Sequence, residues 1–225
     1  MLVQHRCALC DRSGAVVCAR CALRLTRAPS LPLPRHLDSC FAAFDYRSAR
    51  SLVTSLKNGN RRDLVGWLAA QMVRCIEVPA GAVVTWAPTG QVRRRSRGYD
   101  QAELLARAVA RRMSLRCAPL IERRPGPAQE GRSAGERLAN PAFAVLRQCP
   151  VEVLLVDDVA TTGATLAAAA RALRSGGATG VHGAVAARSP ARLGRAVAGA
   201  ALAFDAYDAG ATHQTREVPR SWTSP

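Results

Sequence analysis

One stretch constrains this chain more than any other: residues 154–165 read LLVDDVATTGAT, a hydrophobic run that stops at two adjacent aspartates and a turn of small residues. VEVLLVD at 151–157 is rich in β-branched and aliphatic residues and predicts a buried strand. TLAAAARALRSGG then has helical character and is closed by Gly176 and Gly177, and VHGAVAA at 181–187 predicts the next strand. A strand–helix–strand unit of this length builds a parallel sheet through a right-handed crossover. The expected fold class is α/β, a parallel sheet flanked by helices.

The same stretch specifies chemistry. Its strand should deliver Asp157 and Asp158 at the carboxyl end, where open α/β sheets bind ligands. Thr161, Thr162, Gly163, Ala164 and Thr165 then wrap into the start of a helix. Small residues let the backbone approach an anion, and free amides with the helix dipole favour a phosphate there. Two acids beside a phosphate would repel it unless they face something else, and vicinal hydroxyls are suitable partners. The pattern therefore describes a ribose 5-phosphate binder, with acids on the hydroxyls and amides on the phosphate. It has neither the Gly-Lys-Ser/Thr of a P-loop nor the G-x-G-x-x-G of a dinucleotide site.

A second pattern lies at the amino end. CALCDRSGAVVCARC places Cys7, Cys10, Cys18 and Cys21 as C-x2-C-x7-C-x2-C. Each pair presents two thiolates from one tight turn, and two turns complete a tetrahedral zinc shell. Four thiolates leave no open position, so the zinc is structural. Cys40, Cys75, Cys117 and Cys149 stand alone and are expected as small buried hydrophobes. No long apolar core precedes Cys7, and no run approaches the roughly 18 apolar residues of a membrane span. A cytoplasmic location is expected, where cysteines hold metal more often than they form disulfides.

Between these landmarks the chain divides into a cysteine module at 1–27, a Pro-rich connector at 28–40, a main domain at 41–205 and an irregular tail at 206–225. FAAFDY and AVVTWAP predict strands; SARSLVTSLKNGN, DLVGWLAAQMVRCI and DQAELLARAVARRM predict helices. The arginines at 93–97 are expected in a polar loop. Residues 122–140 are expected to form a long loop of the kind that serves as a lid, with AFAVL at 142–146 a short strand. Net charge is +16, with 32 Lys+Arg against 16 Asp+Glu, and Lys57 is the only lysine. Such an excess favours nucleic acid or phosphate-bearing metabolites as partners. Aromatics, at 4%, are scarce for the stacking that single-stranded DNA binding uses.

LLVDDVATTGAT resembles the 5-phosphoribosyl 1-pyrophosphate (PRPP) motif of type I phosphoribosyltransferases. The order of the cysteine leader, SLKNGN, a strand ending in proline, RRRSRGYDQAELLA, QEGRSAGERLANPAF and the acidic motif is similar to the ComF family of competence-associated phosphoribosyltransferase-like proteins. The resemblance implies a type I phosphoribosyltransferase fold with a small zinc module, PRPP with Mg²⁺ as ligand, and a link to DNA uptake in some members. Asp157 and Asp158 match the ribose-binding acids, Ala160–Thr165 the 5-phosphate loop, and Thr89 and Gly90 the position of the pyrophosphate loop. Lys57, Arg97 and Gln101 match recurrent family residues, and Gln129, Arg132, Arg137 and Asn140 match the lid. Two departures stand out: Pro88-Thr89-Gly90 replaces Pro-x-Pro, and Tyr99-Asp100 replaces Phe-Asn. Asp100 is expected to add negative charge near the anion site, offset by Arg93, Arg94, Arg95 and Arg97. No residue names an acceptor or an oligomeric state. Phosphoribosyl transfer, binding of single-stranded DNA or competence and recombination proteins, and PRPP sensing without turnover all fit these residues.

Overall fold

The computed structural model describes residues 5–30, 32–124 and 142–189. Gln129, Arg132, Arg137, Asn140 and the tail at 206–225 lie outside the described residues. A short α1 (Ala19–Ala22) is followed by β1 (Ser39–Asp45), α2 (Tyr46–Asn58) and α3 (Leu64–Val73). Next come β2 (Val83–Trp86), α4 (Gln91–Arg97), α5 (Gln101–Met113), β3 (Ile121–Arg124) and β4 (Ala142–Val145). The last described elements are β5 (Glu152–Ala160), α6 (Ala164–Ser175) and β6 (Gly180–Arg188).

The main sheet runs β1-β6-β5-β2 with every neighbouring pair parallel. Alternation explains why its central strand is apolar on both faces. Leu154 and Val156 pack into a cluster with Leu52, Leu68 and Leu105, whereas Val153 and Leu155 pack on the other face with Leu166, Ala170 and Leu173. Asp45 caps α2 by accepting from Arg47 N at 2.8 Å, and Ala49, Leu52, Val53 and Leu56 form its buried stripe. β3 and β4 form a separate antiparallel ribbon. It is tied to the sheet where Leu120 N–H donates to the fully buried Thr85 Oγ1 at 3.3 Å and Leu146 N–H donates to Leu120 O at 2.9 Å. Among the described residues no helix is long and apolar enough to cross a membrane.

Three expectations are corrected. The arginine segment is a helix, α4, closed by Gly98 at φ 74° with its N–H on Arg94 O at 2.8 Å. The expected loop at 122–140 begins as strand, because Ile121–Arg124 pairs with Ala142–Val145. The strand expected to stop at Asp157 continues to Ala160, its ladder to β6 running through Asp157↔Val185 and Val159↔Ala187. Cys149 is buried, as expected of a small hydrophobe, but Cys40, Cys75 and Cys117 are only partly so.

The packing predicts a sharp contrast within one short segment. Leu154→Ala, at a fully buried position, is expected to cost about 2–5 kcal/mol in urea denaturation. Val151→Ala, at an exposed position, should change stability by no more than about 0.5 kcal/mol. Equal losses would contradict the two-faced burial of β5.

Candidate functional site

Residues 157 and 158 are neighbours in a strand, so their side chains leave opposite faces of the sheet. Both nevertheless line one cleft of about 260 Å³, because they stand where β5 runs out beyond the end of the shorter β2. Asp158 is buried and pairs with Lys57 Nζ at 3.1 Å. Lys57 comes from the last turn of α2, where its charge also suits the helix dipole. Asp158 N–H donates to Asp157 Oδ1 at 2.8 Å. Burial, and then the charge of Asp158, push the Asp157 pKa well above the usual carboxylate range, against the opposing pull of that amide and of Lys57.

After the acids the chain turns through Thr161 and Thr162 into α6. Gly163 is the N-cap at φ 74°, and a Cβ there would lie 2.8 Å from Pro34 Cγ. Both the backbone conformation and the contact with the connector therefore call for glycine. Thr162 Oγ1 accepts from Ala164 N at 3.3 Å, and no side chain caps the helix at Gly163. The turn encloses a small concavity of about 30 Å³ between Val159 and Leu166.

Another part of the cleft is lined by the end of β2 and the start of α5. Asp100 is 4% exposed and is the N-cap of α5, accepting from Ala102 N at 3.0 Å and Glu103 N at 3.4 Å through Oδ1. Its Oδ2 accepts from Thr89 N at 2.8 Å. The expected stray negative charge offset by arginines is thus corrected: three backbone amides hold Asp100. Burial raises its pKa and those amides oppose the rise. The Thr89 amide is consequently engaged within the protein. Arg97 Nη1 donates to Gln101 Oε1 at 3.2 Å.

Of the residues singled out in the sequence, Lys57, Thr89, Arg97, Gln101, Asp157, Asp158, Thr161 and Thr165 line the one cleft. Ala160, Thr162, Gly163 and Ala164 line the smaller concavity beside it, and Gly90 lines neither. The sequence reading missed Arg123, which enters the cleft from β3 and lies 5.8 Å over the Phe143 ring. It noted Tyr99 only as a departure from the family pattern, whereas its hydroxyl donates to Leu56 O at 2.5 Å and so fixes the end of α2 next to Lys57. Neither contact has a local sequence signal.

The four amino-terminal cysteines converge with all Sγ atoms within 4.8 Å of one another. A tetrahedron with metal–sulfur bonds of about 2.3 Å places sulfurs about 3.8 Å apart, and Cys10 Sγ and Cys18 Sγ are 3.7 Å apart. Asp11 at φ 59° and Gly14 at φ 114° provide the reversals in between. Burial opposes ionisation of Cys7, but the amides of Cys18, Leu9 and Cys10 prevail and bring its pKa to about 6. Burial and the surrounding thiols push Cys21 up to about 12. Such a donor set fits a metal such as zinc.

The Phosphoribosyl transferase domain family matches residues 100–204. The DNA utilization protein YhgH of Salmonella typhi is 30% identical over 195 residues, covering 77% of this chain and 85% of that protein. The chain belongs to the ComF-like phosphoribosyltransferase family. A solved structure of the allosteric regulatory enzyme of purine biosynthesis matches 56% of this family member and 25% of that enzyme, at 21% identity and a TM-score of 0.37. The parallel sheet, its flanking helices and the cysteine cluster agree with the fold expected of a ComF-like protein.

The acid pair generates a pH test. The folded state holds the Asp157 proton to higher pH than the unfolded chain does. The stability this group contributes is full below the ordinary value of 3.8 and is lost as pH rises through the raised folded value. Asp157→Asn removes that loss. Thermal denaturation should show the variant melting above the wild type near about pH 8, with the gap closing toward about pH 4. A gap independent of pH would contradict the raised pKa.

Proposed function

We propose that the cleft binds the ribose 5-phosphate portion of PRPP and that the protein is a phosphoribosyltransferase-like member of the DNA-utilization branch of its family. One observation carries this: the acid pair and a helix start without a side-chain cap open from the end of one strand, the first into the cleft and the second into the concavity beside it. Asp157 and Asp158 accept from the two ribose hydroxyls. The amides at the start of α6, with the hydroxyls of Thr161 and Thr165, receive the 5-phosphate.

Transfer breaks a bond at the anomeric carbon and releases pyrophosphate, through a transition state with oxocarbenium character as in glycosidic cleavage. The acid pair and the turn hold the ribose phosphate still. Lys57, Arg97 and Arg123 set positive charge along the cleft for the leaving group. Asp100 already accepts from three amides, so Asp157 and Asp158 are the lining carboxylates that best fit Mg²⁺. Bound Mg²⁺ would offset charge on the diphosphate. The cysteine cluster holds structural zinc in this reading, as suits the reducing cytoplasm.

A second reading, DNA handling without turnover, has specific support in the DNA-utilization relative and the net charge of +16. Many described arginines, however, have partners within the fold: Arg62 lies 4.4 Å over the Tyr99 ring, Arg107 pairs with Glu103 at 2.9 Å and Arg174 with Asp38 at 2.7 Å. The phosphoribosyl reading is therefore the better supported.

Calorimetry with PRPP, with and without Mg²⁺, and with a short single-stranded DNA in parallel separates the two. Magnesium-dependent PRPP binding is expected, weakened at least about 100-fold in the Asp157→Asn, Asp158→Asn double variant. Unchanged affinity in that variant would refute the ribose assignment, and salt-sensitive DNA binding with no PRPP binding would favour the second reading. Metal analysis should find about one zinc per chain, lost in Cys18→Ser with destabilisation of the amino-terminal segment. Freshly purified protein without zinc would remove that assignment.

A further inference from the structure

Gln101 is 2% exposed, and its Nε2 is the buried side-chain nitrogen without a hydrogen-bond partner among the described residues. The orientation of its amide is set by Arg97, whose Nη1 donates to Oε1 at 3.2 Å. Flipping the amide would bring two donors face to face. Nε2 is therefore a committed donor with no acceptor, and it belongs to a residue that lines the cleft. An unsatisfied buried donor costs folding free energy that an apolar side chain of the same shape would not. Such a group persists where an acceptor arrives with a ligand.

The surroundings say what kind of acceptor. The lining also offers the guanidinium groups of Arg97 and Arg123, which can only donate, and Asp100 already accepts from the amides of Thr89, Ala102 and Glu103. Gln101 lines the same cleft as the acid pair, Thr161 and Thr165.

We propose that Gln101, together with Arg97, reads an oxygen-rich group carried at the anomeric end of the bound ribose phosphate, and so makes the site distinguish PRPP from ribose 5-phosphate. The inference rests on the phosphoribosyl reading above and assigns to Gln101 a specificity that the reading does not require. Arg97, half-buried, shifts toward the incoming anion and opens Nε2 to the same group. The chemistry read is an acceptor-only oxygen cluster, the diphosphate of PRPP.

The test titrates the full-length protein with ribose 5-phosphate, PRPP and pyrophosphate, each with Mg²⁺, and compares the wild type with Gln101→Met and Gln101→Glu. Gln101→Met keeps the length of the side chain and removes the Nε2 donor together with the Oε1 that accepts from Arg97. It should leave ribose 5-phosphate affinity within about twofold and weaken PRPP about tenfold. Gln101→Glu, which replaces the donor by a charge, should weaken PRPP further. The ligand-free melting temperature of Gln101→Met should equal or exceed that of the wild type, an outcome that a structural role for Nε2 would reverse. Loss of pyrophosphate binding in parallel assigns the contact to the diphosphate. Weaker PRPP binding with pyrophosphate unaffected assigns it to the intact ligand's anomeric end. Equal losses for PRPP and ribose 5-phosphate, unaltered PRPP affinity, or a lower melting temperature overturn the proposal while leaving the phosphoribosyl reading standing. Failure of the wild type to bind either sugar phosphate overturns both.

Discussion

A single ammonium facing two consecutive carboxylates is the interaction on which the rest of the cleft depends. Asp157 and Asp158 sit near the carboxyl end of β5 in a sheet packed on both faces, where burial and the charge of Asp158 raise the Asp157 pKa. Lys57, 3.1 Å from Asp158, supplies the opposing charge. It can do so only if α2 ends at the right place. Three features place that end: the Asp45 cap at its start, the buried stripe from Ala49 to Leu56, and the Tyr99 hydroxyl on the Leu56 carbonyl. Removing one partner of a buried pair leaves a charge without compensation, which costs more than forming the pair gains. The register of α2 and the state of the acids are thus one problem.

Asp100 solves a comparable problem elsewhere on the cleft wall in a different way. Here the carboxylate needs no cation, because three amide N–H groups converge on it. It caps α5 and at the same time ties down Thr89, joining the loop after β2 to the helix that carries Gln101. That use of the Thr89 amide has a consequence for recognition. An anion at this wall would be met by the side chains of Arg97, Gln101 and Arg123, whose placement depends on the packing that holds them.

How much of this was legible in the sequence follows from the range of each interaction. The β5–α6–β6 unit was readable because aliphatic density on both faces, a helical run and a Gly-Gly stop all agree locally. The cysteine spacing was readable because two short turns define a metal shell without outside help. α4 was not readable: four arginines in a helix of seven residues leave no apolar stripe, and Gly98 at φ 74° closes it in a way that also suits a loop. β3 was hidden for a similar reason, since IERR acquires its strand character only by pairing with Ala142–Val145. The extension of β5 through two aspartates defies strand propensity, and the ladder to β6 overrides it. At the site, the acid pair and the threonine turn were evident. The Lys57–Asp158 pair and the Tyr99–Leu56 bond join residues far apart in sequence, and no local pattern announces them.

The amino-terminal cysteines share support with the cleft. Cys7, Val17 and Cys21 are buried in the same apolar cluster as Phe44, Leu52 and Leu68. Hydrogen bonds join the segment to β1 and α2, with Asp45 N–H on Thr26 O at 2.9 Å and Thr26 N–H on Ser48 Oγ at 3.1 Å. Arg61, just beyond α2, donates to Arg6 O at 2.6 Å and chelates Asp63, while its neighbour Arg62 covers Tyr99. The loop that follows Lys57 is therefore pinned on one side by the cysteine segment and on the other by the residue that fixes the last turn of α2. A cysteine module this small gains rigidity from this shared core. In return it braces the turn whose lysine keeps two carboxylates together.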